Sequence, residues 1–138
     1  SIWKGPILIK GIQTVEDALI AVDSGVEAIA ISNHGGRQLD EAPTPFDLLP
    51  EVAEAVQGRL EIICDGGARR GSDIVKAISL GAAAVMAGRP YLYALAACGE
   101  RGVDHVLGLL HEGVERTMAL TGAASVDDLT KELISRTK

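Results

Sequence analysis

Gly25-Val26-Glu27-Ala28-Ile29-Ala30-Ile31 and Gly81-Ala82-Ala83-Ala84-Val85 share the form Gly-x-x-Ala-(Ile/Val). In each, a glycine closes a helical stretch and a short apolar run launches a strand. The runs read as strands over residues 28–31 and 83–87. Working outward, residues 6–10 and 60–64 read as two further buried strands, with Gly11 breaking the first. Helical stretches lie between them. Thr14, with Asp17 three residues on, caps the first, and Ala18, Leu19 and Val22 form its apolar stripe before Gly25. Residues 46–56 carry Leu49, Val52 and Val56 on one face; Pro50 lies among them and leaves open a start near that proline. Ser72 is expected to cap a helix running to about Leu80 and stopped by Gly81.

The repeating unit is therefore βα, seen four times, and such units build a parallel sheet. After Pro90 the pattern turns purely helical. A short helix is predicted over 90–97 and a longer one over 103–120, with Val106, Leu109, Leu110, Val114 and Leu120 at helical spacing. Gly122 ends it, and residues 125–135 read as a last helix. A complete (βα)8 barrel takes ~250 residues, so 138 residues are too few for one. They fit one domain, and the opening Ser1 reads as the start of an excised or processed piece.

Composition narrows the functional classes. Apolar residues make up 47% and charged ones 23%, ordinary for a folded chain. The longest charge-free run, residues 77–88, is short of the ~20 needed to span a bilayer, and no signal peptide is visible. With 13 basic against 19 acidic residues the net charge is −6, which argues against nucleic acid and polybasic membrane contacts. Cys64 and Cys98 fit no metal or redox spacing. Both sit in apolar stretches and read as buried free thiols in a reducing compartment, with the cytoplasm expected.

Strands of a parallel sheet end on one rim, where such proteins place their chemistry. The four post-strand segments are Lys10, residues 32–37, residues 65–69 and Gly88-Arg89. Three pair glycine with arginine, and the first ends in lysine, so this rim suits anions. Gly66 and Gly67 let backbone N–H groups close on an oxyanion, and Arg69 and Arg89 add charge and a planar fork. Ser72 would head a helix whose N-terminus favours negative charge. Together these suggest a phosphate site. In Ser32-Asn33-His34-Gly35-Gly36-Arg37, His34 can accept a proton and Arg37 can clamp a carboxylate, the needs of a 2-hydroxy or 2-amino acid. Lys10 either reaches solvent along its stem or meets an anion; the residues leave both open. His105 and His111 read as surface or packing residues, Trp3, Tyr91 and Tyr93 as packing residues, and Glu51, Glu54, Glu112 and Glu115 as a solvated helix surface.

The strings Ile9-Lys10-Gly11-Ile12, Ser32-Asn33-His34-Gly35-Gly36-Arg37-Gln38-Leu39-Asp40, Asp65-Gly66-Gly67-Ala68-Arg69-Arg70-Gly71 and Gly88-Arg89-Pro90, in this order and spacing, resemble the FMN-dependent 2-hydroxy-acid oxidising enzymes. That family includes glycolate oxidase, lactate oxidase, L-lactate dehydrogenase, mandelate dehydrogenase and flavocytochrome b2. The resemblance covers essentially the whole chain. It implies an α/β fold that is the C-terminal half of a TIM (β/α)8 barrel, about strands five to eight with closing helices, so residues 1–138 would be one partial domain. Ala68 stands where the family often has valine.

Carried across, His34 would be the base and Arg37 the carboxylate clamp. Lys10 would steady the reduced flavin near N1, and Ser32 would lie near the flavin or ribityl chain. Asp65, Gly66, Gly67 and Arg69 would hold ribityl and phosphate oxygens, with Gly88 and Arg89 completing the phosphate cradle. His34 would take the substrate proton while the C2 hydrogen leaves to the flavin, by a hydride or a carbanion route. The implied partners are a small 2-hydroxy acid, the N-terminal half of the same barrel, and further copies in a homo-oligomer. The family's aspartate that orients the histidine belongs to that other half. Two alternatives stand beside this reading. One is an isolated phosphate-binding or structural module without turnover. The other is a flavin barrel of the type 2 isopentenyl diphosphate isomerase kind, against which the His34 to Arg37 string argues, because that substrate has no carboxylate.

Overall fold

Four parallel strands lie in the order β1-β2-β3-β4 in the computed structural model, which describes residues 2–135. They are β1 (Leu8–Ile12), β2 (Ala28–Ser32), β3 (Glu61–Asp65) and β4 (Ala84–Met86). Helices α1 (Val15–Asp23), α2 (Pro45–Val56) and α3 (Gly71–Ser79) make the crossovers, and α4 (Arg89–Thr121) follows β4. Sequential order with right-handed crossovers sends every connecting helix to the same side of the sheet. Ile29, Ile31, Ile62 and Cys64 face those helices and pack with Ala18, Ala21, Leu49, Val52, Val56 and Ala77 in one buried cluster. The sheet's other face carries Lys10, Ala30, Ile63 and Ala84 in register, with Ser32 opposite Asp65 at its end.

Each of the first three strands ends one or two residues later than the hydrophobic runs predict. Gly11 does not break β1. It takes φ +107, and the register slips between Lys10 and Ile12, so the strand bulges and continues. Ser32 and Asp65 are paired in the ladder, so two residues expected in loops are held within strands. An added Cβ at Gly11 would lie 3.1 Å from His34 Cε1, so the bulge brings bare backbone under the imidazole.

Thr14 caps α1, its Oγ1 accepting from the Asp17 N–H at 3.0 Å. Thr44 caps α2, which starts at Pro45 and runs through Pro50. Ser72 is not a cap. Arg70 occupies that place, and the Asp73 carboxylate accepts from the Arg69 and Arg70 N–H groups, both at 3.0 Å. The two helices expected after Pro90 abut as α4, broken at Cys98 (φ −142) and Gly99 (φ 61, ψ −145). The helix expected over 125–135 is two 3-10 turns, Val126–Asp128 and Lys131–Leu133. Asp128 caps Ser125 too early for a long helix, and Leu129 (ψ 86) and Thr130 (ψ 164) are non-helical.

Cys64 is buried, but Cys98 is exposed, because it lies at the break in α4. Trp3, Tyr91 and Tyr93 are exposed rather than packed. Both His105 and His111 are exposed, as are Glu51, Glu54, Glu112 and Glu115. Among the described residues no helix is long and apolar enough to cross a membrane. Ser1 lies outside the described residues.

Candidate active site

The C-terminal ends of the strands open into a cleft of about 710 Å³, within the ~300–1,000 Å³ of small-molecule sites. Lys10, His34, Arg37, Asp65, Gly66, Gly67, Arg69, Gly88 and Arg89 all line it. Of the residues that the resemblance assigns to the site, Ser32 alone does not; Ser72, read as the head of an anion-binding helix, lies outside the cleft as well. Ser32 is fully buried beneath the cleft.

Ser32 is the hub of a hydrogen-bond network. Its hydroxyl donates to Asp65 Oδ2 at 2.5 Å and accepts from Lys10 Nζ at 3.1 Å and the His34 N–H at 3.1 Å. One donor and two lone pairs are thereby used within the protein. Lys10 also forms an ion pair with Asp65 at 2.7 Å. Lys10 thus meets a protein carboxylate, a third option beside solvent and a bound anion. Burial pushes the Asp65 carboxyl up, but hydrogen bonds from Lys10 and Ser32, with the charges of Lys10 and His34, outweigh it and hold it below the ordinary carboxylate value.

The loop after β2 is a tight turn of left-handed backbone, with φ 55 at His34, 70 at Gly35 and 75 at Gly36. Asn33 closes it, its Oδ1 accepting from the Gly35 N–H at 3.0 Å. Arg37 follows at the cleft's edge. Opposite stand Gly66 (φ 118) and Gly67 (φ 87), then Arg69. The guanidinium groups of Arg37 and Arg69 have no protein partner among the described residues, while Arg89 Nη2 donates to Gly35 O at 2.7 Å. The Asp73 carboxylate takes the Arg69 and Arg70 N–H groups ahead of α3, and the helix start that lines the cleft, through Gly88, Arg89 and Pro90, is that of α4. Gly88 there offers no side-chain cap, leaving first-turn N–H groups for an anion.

Four lining residues lie outside the rim segments read from the sequence, Gln38, Pro90, Leu92 and Tyr93, of which Tyr93 was read as packing. Sequence reasoning also missed the support given by Asn33 and Asp73. Asparagine before a glycine pair is a turn signal that could have found Asn33. Nothing in the sequence marks Tyr93, which is placed by the direction of α4.

The cleft fits a phosphorylated anion such as FMN. It brings together guanidinium groups, an open helix N-terminus, glycine backbone and an ammonium–carboxylate pair.

Comparison with known proteins accords with this site. The peroxisomal (S)-2-hydroxyacid oxidase GLO3 of Arabidopsis thaliana is 53% identical over 131 residues, covering 95% of this chain and 36% of that protein. An L-lactate dehydrogenase of Alcaligenes faecalis is 50% identical over 134 residues, covering 97% and 35%. A crystal structure of mandelate oxidase with 3,3-difluoro-2-hydroxy-3-phenylpropionic acid superposes with a TM-score of 0.90 at 48% identity, covering 94% of this chain and 39% of that one. The chain thus spans little more than a third of the length of these relatives. A model of the FMN-dependent dehydrogenases matches residues 1–136, and with the rim described above it places the chain in that family.

Proposed function

We propose that this chain is the C-terminal half of a (βα)8 barrel, about strands five to eight with closing helices, and that residues 1–138 form one partial domain. In the whole enzyme it supplies the base, the carboxylate clamp and the cofactor phosphate site for oxidising a small L-2-hydroxy acid to the 2-oxo acid. The observation that carries this reading is convergence. One imidazole, one ammonium and three guanidinium groups, from Lys10 to Arg89, line a single cleft at the ends of parallel strands.

Arg69, Arg89, Gly66, Gly67 and Gly88 would hold the FMN phosphate, and Asp65 would hold ribityl oxygens. When bound, FMN supplies the acceptor for the two electrons that leave the substrate. Arg37 grips the substrate carboxylate through paired N–H donors and so orients C2. His34, on its constrained turn, takes a proton from the substrate. The Lys10 ammonium places positive charge beside the cofactor end of the cleft, and Asp65 holds it there. Ser32 holds this set together from below and is not itself a ligand.

The rest of the barrel is the partner this reading requires. Both β1 and β4 are sheet edges, and Ile7, Leu8 and Ile9 are exposed at the first of them. A homo-oligomer in the cytoplasm completes the proposal, the compartment resting on free Cys64 and Cys98. The test is to express the chain with the natural residues that precede Ser1 and mix the purified protein anaerobically with lactate or glycolate. A yellow protein whose visible flavin band bleaches supports the reading. A colourless protein, or a flavin indifferent to both acids, overturns it in favour of a phosphate-binding or structural module.

A further inference from the structure

Arg89 makes a contact that a phosphate ligand does not need. It is the first residue of α4, yet its Nη2 reaches the loop after β2 and donates to Gly35 O at 2.7 Å. Gly35 is the middle of three successive left-handed residues. A Cβ there would stand 2.8 Å from that Nη2, so the guanidinium lies directly against the turn. The loop's other ties are local. The His34 N–H goes to Ser32 Oγ, the Gly35 N–H to Asn33 Oδ1 and the Gly36 N–H to Asn33 O. Among the described residues, Arg89 makes the one hydrogen bond that ties residues 34–37 to anything beyond β2 and their own turn.

We propose that Arg89 is a positioning residue for residues 34–37, and that an anion held in the phosphate cradle strengthens carboxylate binding at Arg37 through it. The proposal rests on the reading of the cleft given above. A guanidinium has five N–H donors in a rigid plane. One is spent on Gly35 O, and the others remain for an anion at the α4 N-terminus. An anion engaging them fixes the plane, and the plane fixes the carbonyl. The carbonyl belongs to the turn that carries His34 before it and Arg37 after it. Lysine keeps the charge but has no fork to hold both groups in one orientation. Coupling of this kind is reciprocal, so a carboxylate on the loop tightens the cradle's grip by the same factor.

The experiment uses the full-length protein with FMN, or with riboflavin, which has the same ring and no phosphate. Oxalate, a two-carbon dicarboxylate with no C–H to oxidise, is titrated by the change it causes in the flavin spectrum, without turnover. The wild type should bind oxalate about five-fold or more tightly with FMN than with riboflavin, and inorganic phosphate should restore the riboflavin form. Arg89→Lys at saturating FMN should bind oxalate as weakly as the wild type does with riboflavin, and amide exchange in residues 34–37 should rise. Arg116→Lys, on α4 but outside the cleft, should keep the wild-type oxalate affinity. Equal oxalate affinity for wild type and Arg89→Lys at saturating FMN overturns the proposal while leaving the flavin reading intact. A protein that takes up neither flavin overturns both.

Discussion

Replacing Asp65 by asparagine keeps its shape and removes its charge. The Lys10 ammonium, 2.7 Å from Oδ2, would then lose its charged partner and keep an amide oxygen, Ser32 Oγ at 3.1 Å and solvent. Unit charges at that separation attract by about 1.5 kcal/mol with the screening of bulk water and by about 6 kcal/mol at an effective dielectric constant of ~20. The Lys10 side chain is 37% exposed and that of Asp65 16%, so solvent and the cost of ordering a lysine move the value to the lower end. The expected loss is about 1–2 kcal/mol at neutral pH, read as a lower urea midpoint at unchanged slope. The pH dependence has a definite sign. The folded pKa lies below the ordinary 3.8, so the carboxylate's contribution is present above that value and is lost as pH falls through the folded pKa. The gap between wild type and Asp65→Asn should therefore stay level from about pH 8 to about pH 5 and close only in stronger acid. A gap absent at neutral pH, or closing already near pH 6, would mean that burial dominates this carboxyl and that Lys10 does not hold it.

Two further outcomes follow from packing and exposure. One thiol, Cys98, should react promptly with a disulfide reagent in the native protein. Cys64, buried and with its thiol pushed up to about 11, should react only on unfolding; two fast thiols would contradict the structure. At Gly71 an added methyl would stand 2.1 Å from the carbonyl carbon of Gly113 and from Val114 N, backbone that cannot turn aside. Gly71→Ala should cost about 3 kcal/mol, whereas Gly108→Ala, on α4 with nothing within 4 Å of an added Cβ, should be neutral or stabilising by about 1 kcal/mol in thermal or urea unfolding.

The βα order and the residues of the rim were legible because apolar runs, glycines and the Thr14 cap are local signals. Strand ends were not, because Ser32 and Asp65 are polar yet sit in the ladder, where each satisfies the other. Gly11 reads as a breaker, since a bulge and a stop share the same letter; the pairing of Ile12 with Ile31 distinguishes them. Arg70 displaced Ser72 as a cap because Asp73 supplies the carboxylate, a choice set by side-chain reach. The last helix failed because 3-10 turns and helices share capping residues. At the site, the strings located His34, Arg37, Arg69 and Arg89, but which groups face the ligand and which face each other is tertiary. Ser32 and Lys10 turn out to serve each other and Asp65, and Arg89 reaches a carbonyl 54 positions away.

The central claim is that His34 takes the substrate proton in a cleft whose other residues hold FMN. The decisive measurement is anaerobic mixing of lactate or glycolate with full-length His34→Ala protein, following the flavin band. The account predicts that FMN stays bound with near wild-type affinity while its reduction slows by about 10²-fold or more. Reduction at the wild-type rate, or loss of FMN with the imidazole, would contradict it.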